Sequence, residues 1–116
     1  MRHPSNPRLQ SLIKELKTLS QKEKVAVWKR IASDLEKPNR NRRAVNLSRI
    51  SHHAKENESV VVPGKVLGTG ELSRKVTIAA FSISSSAKEK VGKDNFLTIE
   101  ELMQKNPKGK NVRIIG

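Results

Sequence analysis

Apolar residues recur along this chain in two rhythms, separated by long polar runs. The first rhythm is helical. Leu9, Leu12, Ile13, Leu16 and Leu19 return every three or four positions, with Arg8, Lys14, Glu15 and Lys17 off that stripe. Asn6-Pro7 suits the start of such a helix, Asn as cap and Pro in the first turn, and the pattern predicts an end near Thr18. Ser20-Gln21-Lys22-Glu23 has the spacing of a capping box and predicts a second helix, whose apolar positions are Val25, Trp28, Ile31 and Leu35 and which Pro38 stops. A tryptophan in the middle of an apolar stripe reads as core rather than as a platform for a stacked base.

The second rhythm is that of buried strands. Val60-Val61-Val62 is interrupted by Pro63-Gly64, Lys65-Val66-Leu67 runs into Gly68-Thr69-Gly70, and Val76 to Ile83 is apolar on both alternating faces. Strands of this kind lie inside a sheet covered on both sides. Three such strands cannot bury themselves, so the helical segments must cover them. Beyond them, Ser86-Ala87-Lys88-Glu89 predicts a capped helix reaching Val91 or Gly92, followed by a loop over residues 92–95. Thr98-Ile99-Glu100-Glu101 is a further capping box, with Leu97 and Leu102 placed for a hydrophobic staple, and its helix ends before Pro107. Asn106 to Gly109 turns the chain into a last strand with Val112, Ile114 and Ile115. The expected fold class is α/β: a small, mostly parallel or mixed sheet of irregular strand-strand-helix turns, preceded by a helical region and a basic segment. One domain of 116 residues is expected, divided into a helical hairpin (6–36), a basic segment with a short helix (37–57) and an α/β core (58–116).

Charge changes the picture most. Twenty-four Lys and Arg against eleven Asp and Glu leave a net charge of +13, a field that attracts polyanions and speeds their encounter. Nucleic acid suits it better than a membrane surface, because no apolar run approaches the ~20 residues of a spanning helix and no leader or lipidation pattern opens the chain. Aromatics are scarce, two Phe, one Trp and no Tyr, so base stacking has few platforms. No cysteine is present, which excludes disulfides, Cys-containing zinc sites and Cys nucleophiles and fits an intracellular setting. Of the three His, the adjacent pair His52-His53 lacks the spacing of two ligands on one helix face, so no metal is expected.

The cations concentrate between Lys37 and Lys55: Lys37, Arg40, Arg42, Arg43, Arg49 and Lys55, with no acid until Glu56. A folded protein gains nothing from crowding like charges, and the arginine fork suits phosphate. Asn46 can cap a short third helix from Leu47 to about Glu56. Leu47, Ile50 and Ala54 would face inward, and Ser48, Arg49, His52 and His53 would lie on or near the exposed side. Nucleotide motifs fail on inspection. Gly64-Lys65 is followed by Val66 rather than Ser or Thr, and after Gly68-Thr69-Gly70 the third glycine of a dinucleotide fingerprint is Ser73, with a strand where a helix should follow. Glycines in a tight turn between buried strands explain them. No acid-base constellation stands out, so neither an enzyme nor a cofactor is expected.

With these residues in view the chain resembles the archaeal and eukaryotic eighteen-e family of large-subunit ribosomal proteins, relatives of the bacterial large-subunit family fifteen. The resemblance runs through Asn6-Pro7-Arg8-Leu9, Trp28 with Ile31-Ala32, Arg42 to Ile50 (RRAVNLSRI), Val62 to Gly68 (VPGKVLG), Ala79-Ala80-Phe81-Ser82, Pro107-Lys108-Gly109 and Val112-Arg113-Ile114-Ile115. It spans nearly the whole chain. One departure lies at Gly92-Lys93-Asp94-Asn95-Phe96, where the family usually carries a Gly-Gly pair and a small residue. The resemblance implies a structural protein of the large ribosomal subunit in the cytoplasm, partnered by large-subunit rRNA and neighbouring ribosomal proteins, with no membrane or small-molecule substrate. On this reading Arg40, Arg42, Arg43 and Arg49 contact phosphates, and Asn46, Ser48, His52 and His53 supply hydrogen bonds. Lys65, Arg74 and Lys75 extend the footprint from the turns of the sheet. Recognition by shape and backbone is expected, since the major groove of A-form RNA does not admit side chains. The rival is a general DNA- or RNA-binding basic protein outside the ribosome.

Overall fold

The computed structural model describes residues 7–37, 44–55, 58–72 and 76–115. Two amphipathic helices, α1 (Pro7–Glu23) and α2 (Ala26–Glu36), open the chain and pack against each other through Leu9, Leu12, Ile13, Leu16, Trp28, Ile31 and Leu35. The first helix outlasts the expected end at Thr18 by more than a turn, and the Ser20–Glu23 capping box is not made. Ser20 lies inside α1, its carbonyl accepts from Val25 N at 3.1 Å, and its hydroxyl donates to Val25 O at 2.8 Å. The same side chain that could start one helix here closes another. Lys24 makes the turn with φ +56°, and α2 begins after Val25 with no side-chain cap.

The sheet has five strands: β1 (Val45–Asn46), β2 (Ser59–Leu67), β3 (Thr77–Ile83), β4 (Phe96–Thr98) and β5 (Val112–Ile114). Every pairing is parallel. β3 and β4 follow on one side of β2. On its other side β5 pairs with Ser59 to Val61 and β1 with Val66-Leu67. The valine run and the Lys65 to Leu67 piece are therefore one strand, not two. Its register against β3 shifts between Val62 and Lys65, and Pro63, with no N–H to offer, falls in that irregularity, where neither β1 nor β5 reaches. Two strands escaped the sequence pattern, β1 and β4, because pieces of two and three residues carry no readable period.

Side chains alternate across the sheet as a period of two requires. Val61, Ala79 and Phe81 face α1, α2 and α5 (Ile99–Lys105); Val60, Val62, Ile78 and Ala80 face α3 (Leu47–His53) and α4 (Ser85–Val91). The helix α3 stops at His53, short of the expected Glu56. Asn46 stands at its N-cap without a side-chain bond. The cap of α4 is Ser84, whose hydroxyl accepts from Ala87 N at 3.2 Å, two residues before the expected Ser86. At Thr98 the capping box forms in full: Thr98 Oγ1 accepts from Glu101 N at 3.1 Å, and Thr98 N donates to Glu101 Oε1 at 2.9 Å. The 92–96 departure resolves into Gly92 at φ +87°, one 3₁₀ turn over Lys93–Asn95, and Phe96 opening β4 against the α3/α4 side of the core.

Candidate nucleic-acid interface

Parallel neighbours normally need a crossover of a dozen or more residues. The described start of the nine-residue link between β2 and β3 is wedged between the starts of α3 and α4. A β-carbon at Gly68 would meet Ser86 Oγ and Ala87 N; one at Gly70 would lie 2.5 Å from Ser48 Cβ, and Gly70 has φ +93°. Only glycine permits this approach. Ser48 N donates to Thr69 O at 3.1 Å. Lys90, on the last turn of α4, completes the clamp: its ammonium donates to Gly68 O at 2.7 Å and Gly70 O at 2.9 Å and lies 3.6 Å from Glu71 Oε1. Lys90 was not legible in the sequence, since nothing local tells a helical lysine which carbonyls lie twenty residues away.

On this support α3 buries Leu47 and Ile50, followed by Ala54, and presents Ser48, Arg49, His52 and His53 outward. The two imidazoles meet edge to face with centroids 4.9 Å apart. Asn46 is half-buried. Lys65 is exposed on the second half of β2, beside the Val66 to which β1 pairs. Among the described residues Arg49 and Lys65 have no carboxylate partner and make no side-chain hydrogen bond. The structure thus brings Asn46, Ser48, Arg49, His52 and His53 onto one short element, with Lys65 on the strand β1 joins. Arg40, Arg42, Arg43, Arg74 and Lys75 lie outside the described residues.

Several acids are engaged elsewhere, most of them in ties between elements. Arg8 grips Glu100 with Nε at 3.1 Å and Nη2 at 3.2 Å, donates from Nη1 to Phe81 O at 2.8 Å, and stacks 4.3 Å over the Phe81 ring. Lys17 reaches Glu36 at 2.9 Å, Lys108 reaches Glu23 at 2.7 Å, and Lys37 reaches Asp34 at 3.2 Å. Glu58 takes Arg113 Nε at 2.8 Å and Lys55 N at 2.7 Å, so its carboxyl is held below the ordinary value, first by Arg113 and then by the Lys55 amide. On α3 itself the exposed side carries Arg49, His52 and His53 and no acid. Among the described residues no polar side chain is buried, and among them no helix is long and apolar enough to cross a membrane.

Comparison with known proteins agrees over nearly the whole length. The family described as "Ribosomal protein 60S L18 and 50S L18e" matches residues 2–116. The large ribosomal subunit protein eL18 of Methanoregula boonei is 48% identical over 113 residues, covering 96% of this chain and 93% of that protein. The eL18 of Methanothermobacter thermautotrophicus is 44% identical with the same coverage. That of Haloarcula marismortui is 46% identical over 112 residues, covering 96% of this chain and 97% of that protein.

Proposed function

The chain belongs to the ribosomal protein 60S L18 and 50S L18e family, and on that premise we propose that it is a structural constituent of the large ribosomal subunit, located in the cytoplasm, that binds and orients large-subunit rRNA through its phosphates beside neighbouring ribosomal proteins. The observation that carries the binding mode is a contrast: several acids are paired off between elements while Arg49 and Lys65 stand exposed and unpaired. Arg49 grips phosphate with its fork, and Asn46, Ser48, His52 and His53 add hydrogen bonds. Arg40, Arg42 and Arg43, which precede β1 in the sequence, contact further phosphates, and Lys65, Arg74 and Lys75 extend the footprint. No turnover is involved; the protein neutralises charge where RNA strands approach and holds them in place. The proposal extends to kinship with the bacterial large-subunit family fifteen, which a different strand order in a bacterial member would sever.

Salt dependence tests the binding mode. About seven phosphate contacts give a log-log slope on the order of −5 to −6, and replacing Arg42 and Arg43 by Ala shallows it by roughly one per lost contact. An unchanged slope removes those two residues from the interface. Sedimentation tests the address: the protein travels with the large subunit in one-to-one amount through moderate salt. Washing off with loosely held basic proteins, or equal affinity for duplex DNA and structured RNA at matched salt, would replace the ribosomal reading with a general nucleic-acid binder.

A further inference from the structure

Lys24 stands where the backbone suits glycine. It is the first residue beyond α1, with φ +56°, in the left-handed region that a helix-closing Gly or Asn ordinarily takes. The bond from Val25 N to Ser20 O is the six-to-one closure of that motif. The helix dipole does not ask for a lysine there, since Lys22 already occupies the last turn. A strained, exposed cation invites the question of what it faces.

Its neighbours in the chain, Glu23 and Val25, pack against the turn that leads into β5. A β-carbon at Gly109 would lie 2.7 Å from Val27 Cγ1 and 3.1 Å from Val25 Cγ1, and Trp28 Nε1 donates to Pro107 O at 2.8 Å. This second turn is equally rigid. Asn106 Nδ2 donates to Lys110 O at 2.8 Å, Lys110 N returns to Asn106 Oδ1 at 3.2 Å, and Gly109 N donates to Asn106 O at 2.9 Å. The 2.7 Å bridge from Lys108 to Glu23 joins the turns. Lys22 and Lys108 act on one carboxylate, Glu23, and Lys24 and Lys110, exposed like them, sit beside it on the two joined turns, whose backbone is already held in place. Two fixed turns crowded with ammonium groups lose little freedom when they meet a polyanion.

We infer that these two turns form a second phosphate-contact surface, so that the domain bridges two segments of RNA backbone. The inference rests on the rRNA-binding reading above. The surface lies at the edge of the sheet where β2 and β5 begin, on the α1/α2 side. The α3 face lies on the other side of the sheet, and the Gly68–Gly70 loop beneath it stands at the far end of β2, roughly 25 Å along the strand. A protein with one footprint can dock on RNA; one with two on opposite faces fixes the distance between strands.

Lys24→Gly separates binding from folding, because glycine relieves the backbone. The full-length variant should keep or raise its melting temperature while its affinity for archaeal large-subunit rRNA falls about three-fold or more at fixed salt, with a slope shallower by about 0.7–0.9. Lys110→Gln, whose backbone contacts are retained, should do the same. In hydroxyl-radical footprinting these two variants should lose one cluster of protected nucleotides and Arg49→Gln another. Wild-type affinity and full protection in both lysine variants, with Arg49→Gln alone defective, would overturn the second surface. A wild-type protein without salt-dependent rRNA binding would bring down the parent reading, and this surface with it.

Discussion

The two faces of the sheet are covered by different means. On one, α1 and α2, of 17 and 11 residues, bring Leu, Ile and Trp side chains and are bound together by Lys17–Glu36, with Arg8–Glu100 tying α1 to α5 and Lys108–Glu23 tying it to the turn before β5. On the other, α3 and α4 have seven residues each, bury Leu47, Ile50, Ala87 and Val91 against the sheet, and are braced by one glycine-bearing loop. A helix of seven residues is not stable by itself; α3 exists because Leu47 and Ile50 are buried and Ser48 rests on Thr69 and Gly70. The comparison teaches that both faces rest on burial, the first through long helices tied by ion pairs, the second through short helices braced by a glycine-bearing loop, with Arg49 left unpaired on its outer side.

The largest test of that contrast is Trp28→Ala. Trp28 is fully buried and its indole N–H holds Pro107, so chemical denaturation should show a loss of about 3–5 kcal/mol. A loss below 1 kcal/mol would mean that the hairpin face is not what stabilises the molecule. Gly70→Ala comes next. At φ +93° and against Ser48, an added methyl should cost about 1–3 kcal/mol and also weaken rRNA binding, because α3 must shift; stability lost with affinity unchanged would separate the loop from the interface. Thr98→Ala removes one half of the capping box and should cost about 1 kcal/mol with no effect on RNA, placing α5 firmly on the structural side.

The smallest effect is in acid. Glu58 has its carboxyl depressed by Arg113 and the Lys55 amide. A depressed carboxyl contributes stability above its ordinary value near 4.5 and loses it as pH falls through the folded value. Glu58→Gln should therefore flatten the acid side of a stability-against-pH curve and leave it parallel to wild type near neutrality. A parallel curve throughout would show that the tie between the exit of α3 and β5 carries no linkage.

Much of this was legible in order along the chain. The helical stripes of α1 and α2, the two-sided burial of β2 and β3, the Thr98 box and Trp28 as core all follow from periods of 3.6 and 2 and from cap chemistry, which act over a few residues. The inner positions of α3 were legible for the same reason: Leu47, Ile50 and Ala54 repeat at helical spacing and leave Ser48, Arg49, His52 and His53 outside. The errors were choices between equivalent local signals. Ser20 could start a helix or close one, and Ser84 and Ser86 could both cap α4. The outcome depended on where Val25 and Gly68 lay in three dimensions.

By itself the sequence determined the class of fold, the inward and outward faces of each long element, and a charge that only a polyanion balances, because hydrophobic period, backbone chemistry and net charge are properties of the chain. Only the tertiary structure decided that every strand runs parallel, that Lys90 clamps Gly68 and Gly70 beneath α3, and that Lys24 and Lys110 share one edge. These arise between residues twenty to eighty-six positions apart, where contact is set by how sheet and helices pack and leaves no trace in local spacing.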